Sequence, residues 1–248
     1  MLILVTCVGK REMRLSRARS ITCQGIVALV LMLLPLLAAA SRPAVAADQS
    51  GDFDLYILSL SWSPEYCAGH QSDATQCAAD KHFGLVVHGL WPQYVTPRTD
   101  PASGRESSWP ANCRSSANPA PPEEATAVWP SLGLYRHEWQ THGTCTGLDP
   151  DAYVELTKAL RQRFQLPAAL LPEGRDQVIG ADKLRAAIAA ANPGLAPTDL
   201  ALVCHRNRLA EIRLCLNRDG SHDYAACPAT VSNDEACPGT VRIRGLGN

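Results

Sequence analysis

Two short strings hold most of the reactive side chains: His88–Pro92 (HGLWP) and His137–Cys145 (HEWQTHGTC). Between them they carry three of the seven histidines, one carboxylate and two tryptophans, in a chain with only 6% aromatic residues. Histidine has an ordinary pKa near neutrality, so it can both take and give a proton at working pH. Two histidine clusters about fifty residues apart predict a site assembled by folding, with one half from each segment.

The second string reads as part of a helix over Tyr135–Gly143. At about 100° per residue, with His137 at 0°, Glu138 falls at about 100°, Thr141 at about 40° and His142 at about 140°. Trp139 and Gln140 fall at about 200° and about 300°, so Trp139 anchors the helix in a core while the histidines and Glu138 form a titratable face. A zinc-protease helix, H-E-x-x-H, sets its ligands at i and i+4, about 40° apart. Here the separation is i+5, which splays the rings by about 140° and makes a poor metal clamp. No metal and no cofactor is expected. The arrangement suits a pocket whose walls surround a substrate atom.

These residues need a scaffold. Phe53–Trp62 (FDLYILSLSW) is dense in strand formers and reads as a buried strand. Phe83–Leu90 reads as a second strand, ended by Trp91-Pro92, with His88 near its C-terminal end. Asp149-Pro150 opens a helix with a capping acid and an early proline, ending at Pro167. In that helix Tyr153, Leu156, Leu160 and Phe164 share a face. Ala181–Ala191 is a further helix, closed by Asn192-Pro193-Gly194. Leu200–His205 and Leu209–Leu216 are strands joined through Arg206-Asn207-Arg208 as a hairpin. Pro97–Pro130 reads as a surface excursion tethered by Cys113, and Asp219–Asn248 as a loop-like tail. Strands and helices are segregated rather than alternating, which favours an α+β fold in a single domain.

The first 46 residues read as an export signal. A basic region (Lys10, Arg11, Arg14, Arg17, Arg19) precedes an uncharged apolar run, Gly25–Ala40, and then the small-x-small pattern Ala44-Val45-Ala46. Without that segment the basic count drops from 23 to 17 and the acidic count from 24 to 23, a net charge of −6 against −1. An acidic protein does not hold a polyphosphate through a broad electrostatic footprint, so a nucleic-acid substrate has to be gripped locally. Of ten cysteines, Cys7 and Cys23 lie in the segment and eight lie beyond it. An even count after export predicts a disulfide framework. The expected location is periplasmic or secreted, with no membrane attachment once the signal is removed.

HGLWP and HEW-x-x-HGTC together resemble the two active-site segments of the T(2)-type acid ribonucleases. The similarity includes the opening strand ending in SWSPEYC, Trp129-Pro130 ahead of the second segment, and a C-terminal strand pair with cysteines at comparable places. It implies an α+β fold around a central antiparallel sheet with helices packed against it, for a domain spanning 47–248. It also implies metal-free, two-step cleavage of RNA by a monomer with low base specificity, through a 2′,3′-cyclic phosphate to a 3′-phosphate. By motif position His142 matches the general base, His88 the general acid, His137 a phosphate-binding histidine, and Glu138 a carboxylate that helps hold the phosphate. Trp91 matches a base-stacking position. The family's disulfides map onto Cys67–Cys77, Cys113–Cys145, Cys204–Cys237 and Cys215–Cys227.

Position 141 departs from the family, which usually places lysine directly before the last active-site histidine. Thr141 carries no charge, while Arg136 points off the catalytic face. The rival reading is a weak or inactive relative that serves as an extracellular RNA- or protein-binding module. His70, His82, His205 and His222 belong to no motif and read as surface residues. Arg206 and Arg208 read as a solvated hairpin, and Arg213 is uncommitted. Preorganised charge at a developing anion is worth roughly tenfold to a thousandfold in rate. Thr141→Lys is therefore expected to raise turnover on RNA, and unchanged turnover would show that the missing charge does not limit it.

Overall fold

The first strand, β1 (Leu55–Trp62), sorts its side chains onto two faces of a sheet. Tyr56, Leu58, Leu60 and Trp62 enter the main core, whereas Leu55 and Ile57 join a smaller cluster on the opposite face. On that opposite face Ser59 and Ser61 continue the row with hydroxyl groups that donate to Glu211. Two short helices follow, α1 (Ser63–Gly69) and α2 (Ala74–Cys77), joined by the Cys67–Cys77 disulfide. Strand β2 (Leu85–Gln93) then pairs antiparallel with β1. The computed structural model describes residues 48–99, 104–114, 121–168 and 174–246. The expected signal segment lies outside these residues.

After β2 comes a small two-stranded ladder, β3 (Arg98–Thr99) with β4 (Glu106–Ser107). Three helices follow: α3 (Ala125–Val128), α4 (Leu132–Thr141) and α5 (Pro150–Arg163). Strand β5 (Gln177–Gly180), helix α6 (Ala181–Ala191), strands β6 (Leu200–His205) and β7 (Arg208–Asn217), helix α7 (Ala229–Ser232) and strand β8 (Thr240–Ile243) complete the order. The main sheet runs β2-β1-β7-β8-β5, with β6 also paired to β7. Trp139 of α4, Tyr153 and Leu160 of α5, and Leu184 and Ile188 of α6 pack onto its core face with Leu58, Leu202, Ile212 and Leu214. Disulfides Cys204–Cys237 and Cys215–Cys227 pin the C-terminal segment to β6 and β7, and Cys113–Cys145 ties the excursion to the turn after α4.

Several expectations need correcting. The central pairings of β1, β2, β6 and β7 are antiparallel, as the resemblance implies, and β8 makes the sheet mixed through one parallel contact to β7 at Arg208 and Arg242. The tail is not all loop: β8 pairs with β5 and buries Val241 and Ile243. Helix α5 stops at Arg163, short of Pro167. Trp91-Pro92 does not end β2, which runs on to Gln93. The physical reason lies at the sheet edge. The Leu90 N–H bonds the Tyr153 hydroxyl, at 3.3 Å, rather than β1. Two residues on, the Pro92 nitrogen points the same way, so its missing N–H costs no ladder bond. The β6–β7 turn does match the reading: Arg206 and Asn207 both have positive φ, 51° and 65°, as a two-residue type I′ hairpin requires.

Tyr153 also donates to the Leu90 carbonyl at 3.1 Å, so a single fully buried hydroxyl satisfies both backbone groups on the open edge of β2. Tyr153→Phe strands both and is expected to cost about 1–3 kcal/mol. The test is a lower urea midpoint with unchanged denaturant dependence. An unchanged midpoint would contradict this role.

Candidate active site

One extra residue in β2 sets the geometry. The β1–β2 register pairs Ser59 with Gly89 and Leu60 with Val87, which leaves His88 as the unpaired residue of a bulge. Bulges re-aim side chains in this way. Val87 and Leu90 both reach the core, while His88 turns onto the face that carries Ser59, Ser61 and Trp91. The freed carbonyl of His88 accepts from the buried Trp129 indole N–H at 2.9 Å, so Trp129 fixes the bulge from behind.

Helix α4 is capped by the Ser131 hydroxyl, which accepts from the Leu134 N–H, and Trp139 anchors it in the core. Its titratable residues are not equally placed. His137 is exposed, with its Nε2 4.0 Å from Glu138 Oε1. Glu138, on the titratable face that the helix angles predict, is 1% exposed, because its carboxylate is drawn against β2. There Oε2 accepts from the Trp91 indole N–H at 2.6 Å, and Oε1 lies 3.6 Å from His88 Nε2. His142 lies one residue past the helix, as its C-cap, with its N–H bonded to the Glu138 carbonyl. The following turn, Gly143–Cys145, is 3₁₀.

Two glycines of the motifs make this packing feasible. A Cβ on Gly89 would overlap the Glu138 carboxylate and the Trp91 indole nitrogen, and one on Gly143 would overlap the Trp139 ring. Trp91 is partly buried at the centre, 5.0 Å from the His88 ring and 5.4 Å from the His142 ring. The structure thus brings His88, Glu138, His142 and Trp91 together, with His137 at the rim and Thr141 beside His142 in a cavity of about 340 Å³. A second cavity, of about 720 Å³, is lined by His88 and Glu211.

The electrostatics divide the two buried-side histidines. Burial works against a charge on His88, but the hydrogen bond and charge of Glu211, with the charge of Glu138, outweigh it and raise its pKa. Among the described residues no carboxylate plays this part for His142, and its Nδ1 is buried without a partner. Burial, with the nearby His137 and His88, pushes its pKa down to about 3. Burial also raises the pKa of Glu138, against the pull of His88 and the Trp91 bond.

Sequence reasoning missed two residues, both on β7. Glu211 Oε1 lies 2.6 Å from His88 Nδ1. Arg213, read as uncommitted, bonds Glu211 and Asp234 and sets its guanidinium 5.4 Å from the Trp91 ring centre. It lines the same cavity as Thr141 and His142, so a cation reaches this side of the site from another strand. Their signal in the sequence was faint: two serines alternating in β1, opposite charges alternating in β7. His70 and His205, read as surface residues, are exposed but line the larger cavity. Among the described residues no group of three or more His, Cys, Asp or Glu side chains is placed to hold a metal ion. Nor is any helix among them long and apolar enough to cross a membrane.

Residues 53–227 match the Ribonuclease T2 family, and the chain belongs to it. It is 38% identical over 146 residues to a ribonuclease of Aeromonas hydrophila, an alignment covering 58% of this chain and 60% of that one. It is 31% identical over 172 residues to Ribonuclease I of Escherichia coli, with 55% and 63% covered. The alignments thus span less than two thirds of these relatives' lengths. In fold, the chain resembles the RNase-related protein from Calystegia sepium, with a TM-score of 0.59 at 21% identity over 79% of this chain and 98% of that one. An RNase MC1 mutant in complex with 5′-UMP matches at a TM-score of 0.51 and 21% identity, covering 76% of this chain and 97% of that one.

The Gly89 contact is directly testable. Gly89→Ala is expected to cost about 1–3 kcal/mol through overpacking and to displace Glu138 and Trp91. Gly84→Ala is the control, because a Cβ there meets its nearest atom at an ordinary 3.4 Å. Equal thermal shifts for the two variants would contradict the close approach.

Proposed function

We propose that this chain is a metal-independent endoribonuclease that cleaves single-stranded RNA by transphosphorylation, with low base specificity. The observation that carries the proposal is the unequal environment of two histidines on either side of Trp91. His88 is flanked by two carboxylates, whereas among the described residues no carboxylate bonds His142 or offsets its burial.

His142, held neutral, takes the proton from a ribose 2′-OH. The 2′ oxygen bonds to the adjacent phosphorus while the bond from phosphorus to the 5′ oxygen breaks. His88, held charged, gives its Nε2 proton to that leaving oxygen. The products are a 2′,3′-cyclic phosphate and a free 5′-OH. In the second step His88 takes a proton from water, whose oxygen bonds to phosphorus while the bond to the 2′ oxygen breaks; His142 gives its proton to that oxygen, and a 3′-phosphate remains. DNA lacks the 2′-OH and is not a substrate. His137, exposed at the rim, is positioned to meet a phosphate oxygen, and Glu138 to orient the His88 side of the phosphate. The two cavities flank this centre, so one accommodates the nucleoside on each side of the scissile phosphate. Trp91 and Thr141 border the smaller. Four disulfides suit an oxidising compartment, which supports a periplasmic or secreted location.

The test is release of acid-soluble nucleotides from single-stranded RNA at mildly acidic pH with chelator present, for wild type beside His142→Ala. The expected result is chelator-resistant activity that falls by about 10²–10⁴-fold in the variant. Loss of activity on chelation would indicate a metal enzyme. Wild-type RNA binding without cleavage would favour the binding-module alternative, for which Thr141 is the motivating observation. Activity surviving the substitution would overturn the mechanism.

The pH dependence has a definite sign. The base must be neutral and the acid protonated. The acid limb of kcat/KM therefore reports His142, with its low value, and the alkaline limb reports His88. Activity is expected to persist as pH rises past the ordinary histidine range and to fall through the raised His88 value. An alkaline limb below that range would contradict the assignment.

A further inference from the structure

We propose that Glu211 is a positioning residue for His88, holding the imidazole by Nδ1 so that Nε2 carries its proton to the leaving oxygen. The inference rests on the acid role of His88 proposed above.

The geometry begins in the strand register. Ser61 pairs with Glu211, and Ser59 with Arg213, so these four residues occupy one patch of the sheet face that the bulge presents to His88. The Glu211 carboxylate is engaged on both oxygens. Oε1 receives the His88 contact at 2.6 Å and the Ser61 hydroxyl at 3.3 Å. Oε2 receives the Ser59 hydroxyl at 3.1 Å and Arg213 Nε at 2.9 Å. Its side chain is 12% exposed and that of Arg213 14%. Arg213 is braced in turn by Asp234 at 2.5 Å. A buried carboxylate with this many donors is fixed in place, and it imposes that orientation on the ring it holds.

The bond also selects a tautomer. An ionised carboxylate only accepts hydrogen bonds, so His88 Nδ1 must carry a proton whenever Glu211 is charged. Glu211 stays charged far into acid: although burial opposes ionisation, the His88 bond and charge, with Arg213, lower its pKa to about 2. The second proton, on Nε2, then faces the site and is the one available for transfer.

Other groups also face His88. Glu138 on α4 adds negative charge near Nε2, while Arg213 opposes the imidazolium, and His142 lies within coupling range. Glu65, His70, Asp73 and His205 line the larger cavity alongside it. Among these, Glu211 makes the direct bond to Nδ1.

A purely structural Glu211–Arg213 pair would predict lost stability and nothing specific to proton donation. The discriminating experiment therefore compares two substrates in Glu211→Gln. One is an RNA dinucleotide, whose alkoxide leaving group needs a proton. The other is a nucleoside 3′-(4-nitrophenyl phosphate), whose phenolate departs without one. The expected result on the dinucleotide is a fall in kcat of about 10²–10⁴-fold with KM little changed, and an alkaline limb displaced to lower pH. On the aryl ester the loss is expected to be much smaller. Glu211→Asp, which keeps the charge, should recover part of the dinucleotide activity.

Equal losses on both substrates, or an unmoved alkaline limb, would overturn the positioning role alone. A wild type inactive on both substrates would overturn the underlying reading and this role with it. A measurement on the wild type covers the case in which the variant does not fold. Nitrogen NMR of neutral His88 should show the proton on Nδ1, and a proton on Nε2 instead would overturn the proposal.

Discussion

A single bulged residue in β2 is the constraint on which the site depends. Without it, strict alternation would put His88 on the face of Leu90, inside the core. With it, Val87 and Leu90 both remain in the core while His88 emerges among Trp91, Glu138 and Glu211. The surrounding structure stabilises that exception. Trp129 satisfies the carbonyl of His88, and Tyr153 satisfies both backbone groups of Leu90. Gly89 leaves room for the Glu138 carboxylate. The motif HGLWP is therefore a packing device, and in the proposed mechanism only its histidine carries a proton.

The same face of the sheet shows how a strand pattern becomes chemistry. Near one end of β1, Leu55 and Ile57 pack into a small apolar cluster with Cys215 and Val231. Towards the other end Ser59 and Ser61 replace apolar residues, opposite Arg213 and Glu211. These groups would be costly there if left unpaired. They hold one another, and they place a charged carboxylate where a histidine can use it. His142, by contrast, ends its helix against buried surface with Nδ1 unpartnered. Two chemically identical side chains thus acquire opposite protonation preferences from their neighbours.

Much of this was legible in the sequence, for local reasons. The β1, α6 and β6 spans follow from apolar periodicity and turn chemistry, and the α5 start from Asp149 and Pro150. The strings around His88 and His142 pointed to one assembled site, which the structure does bring together. What was not legible was non-local. Pro92 looked like a strand terminator because the sequence does not say that β2 is an edge. The depth at which Glu138 is buried was not legible either, because helical angles do not reveal a glycine on another strand making room for it. The Arg208–Arg242 contact and β8 depend on pairing across the whole chain. Glu211 and Arg213 lie some 120 residues beyond His88 and belong to no motif, so only the strand register brings them to it.

The central claim is that environment divides two histidines into an acid and a base. Its most direct test is an NMR titration of His88 and His142 in the free protein. The expected values are well separated, with His88 above the ordinary histidine value and His142 far below it. Two values that coincide, or a His142 that protonates first as pH falls, would contradict the division and the mechanism built on it.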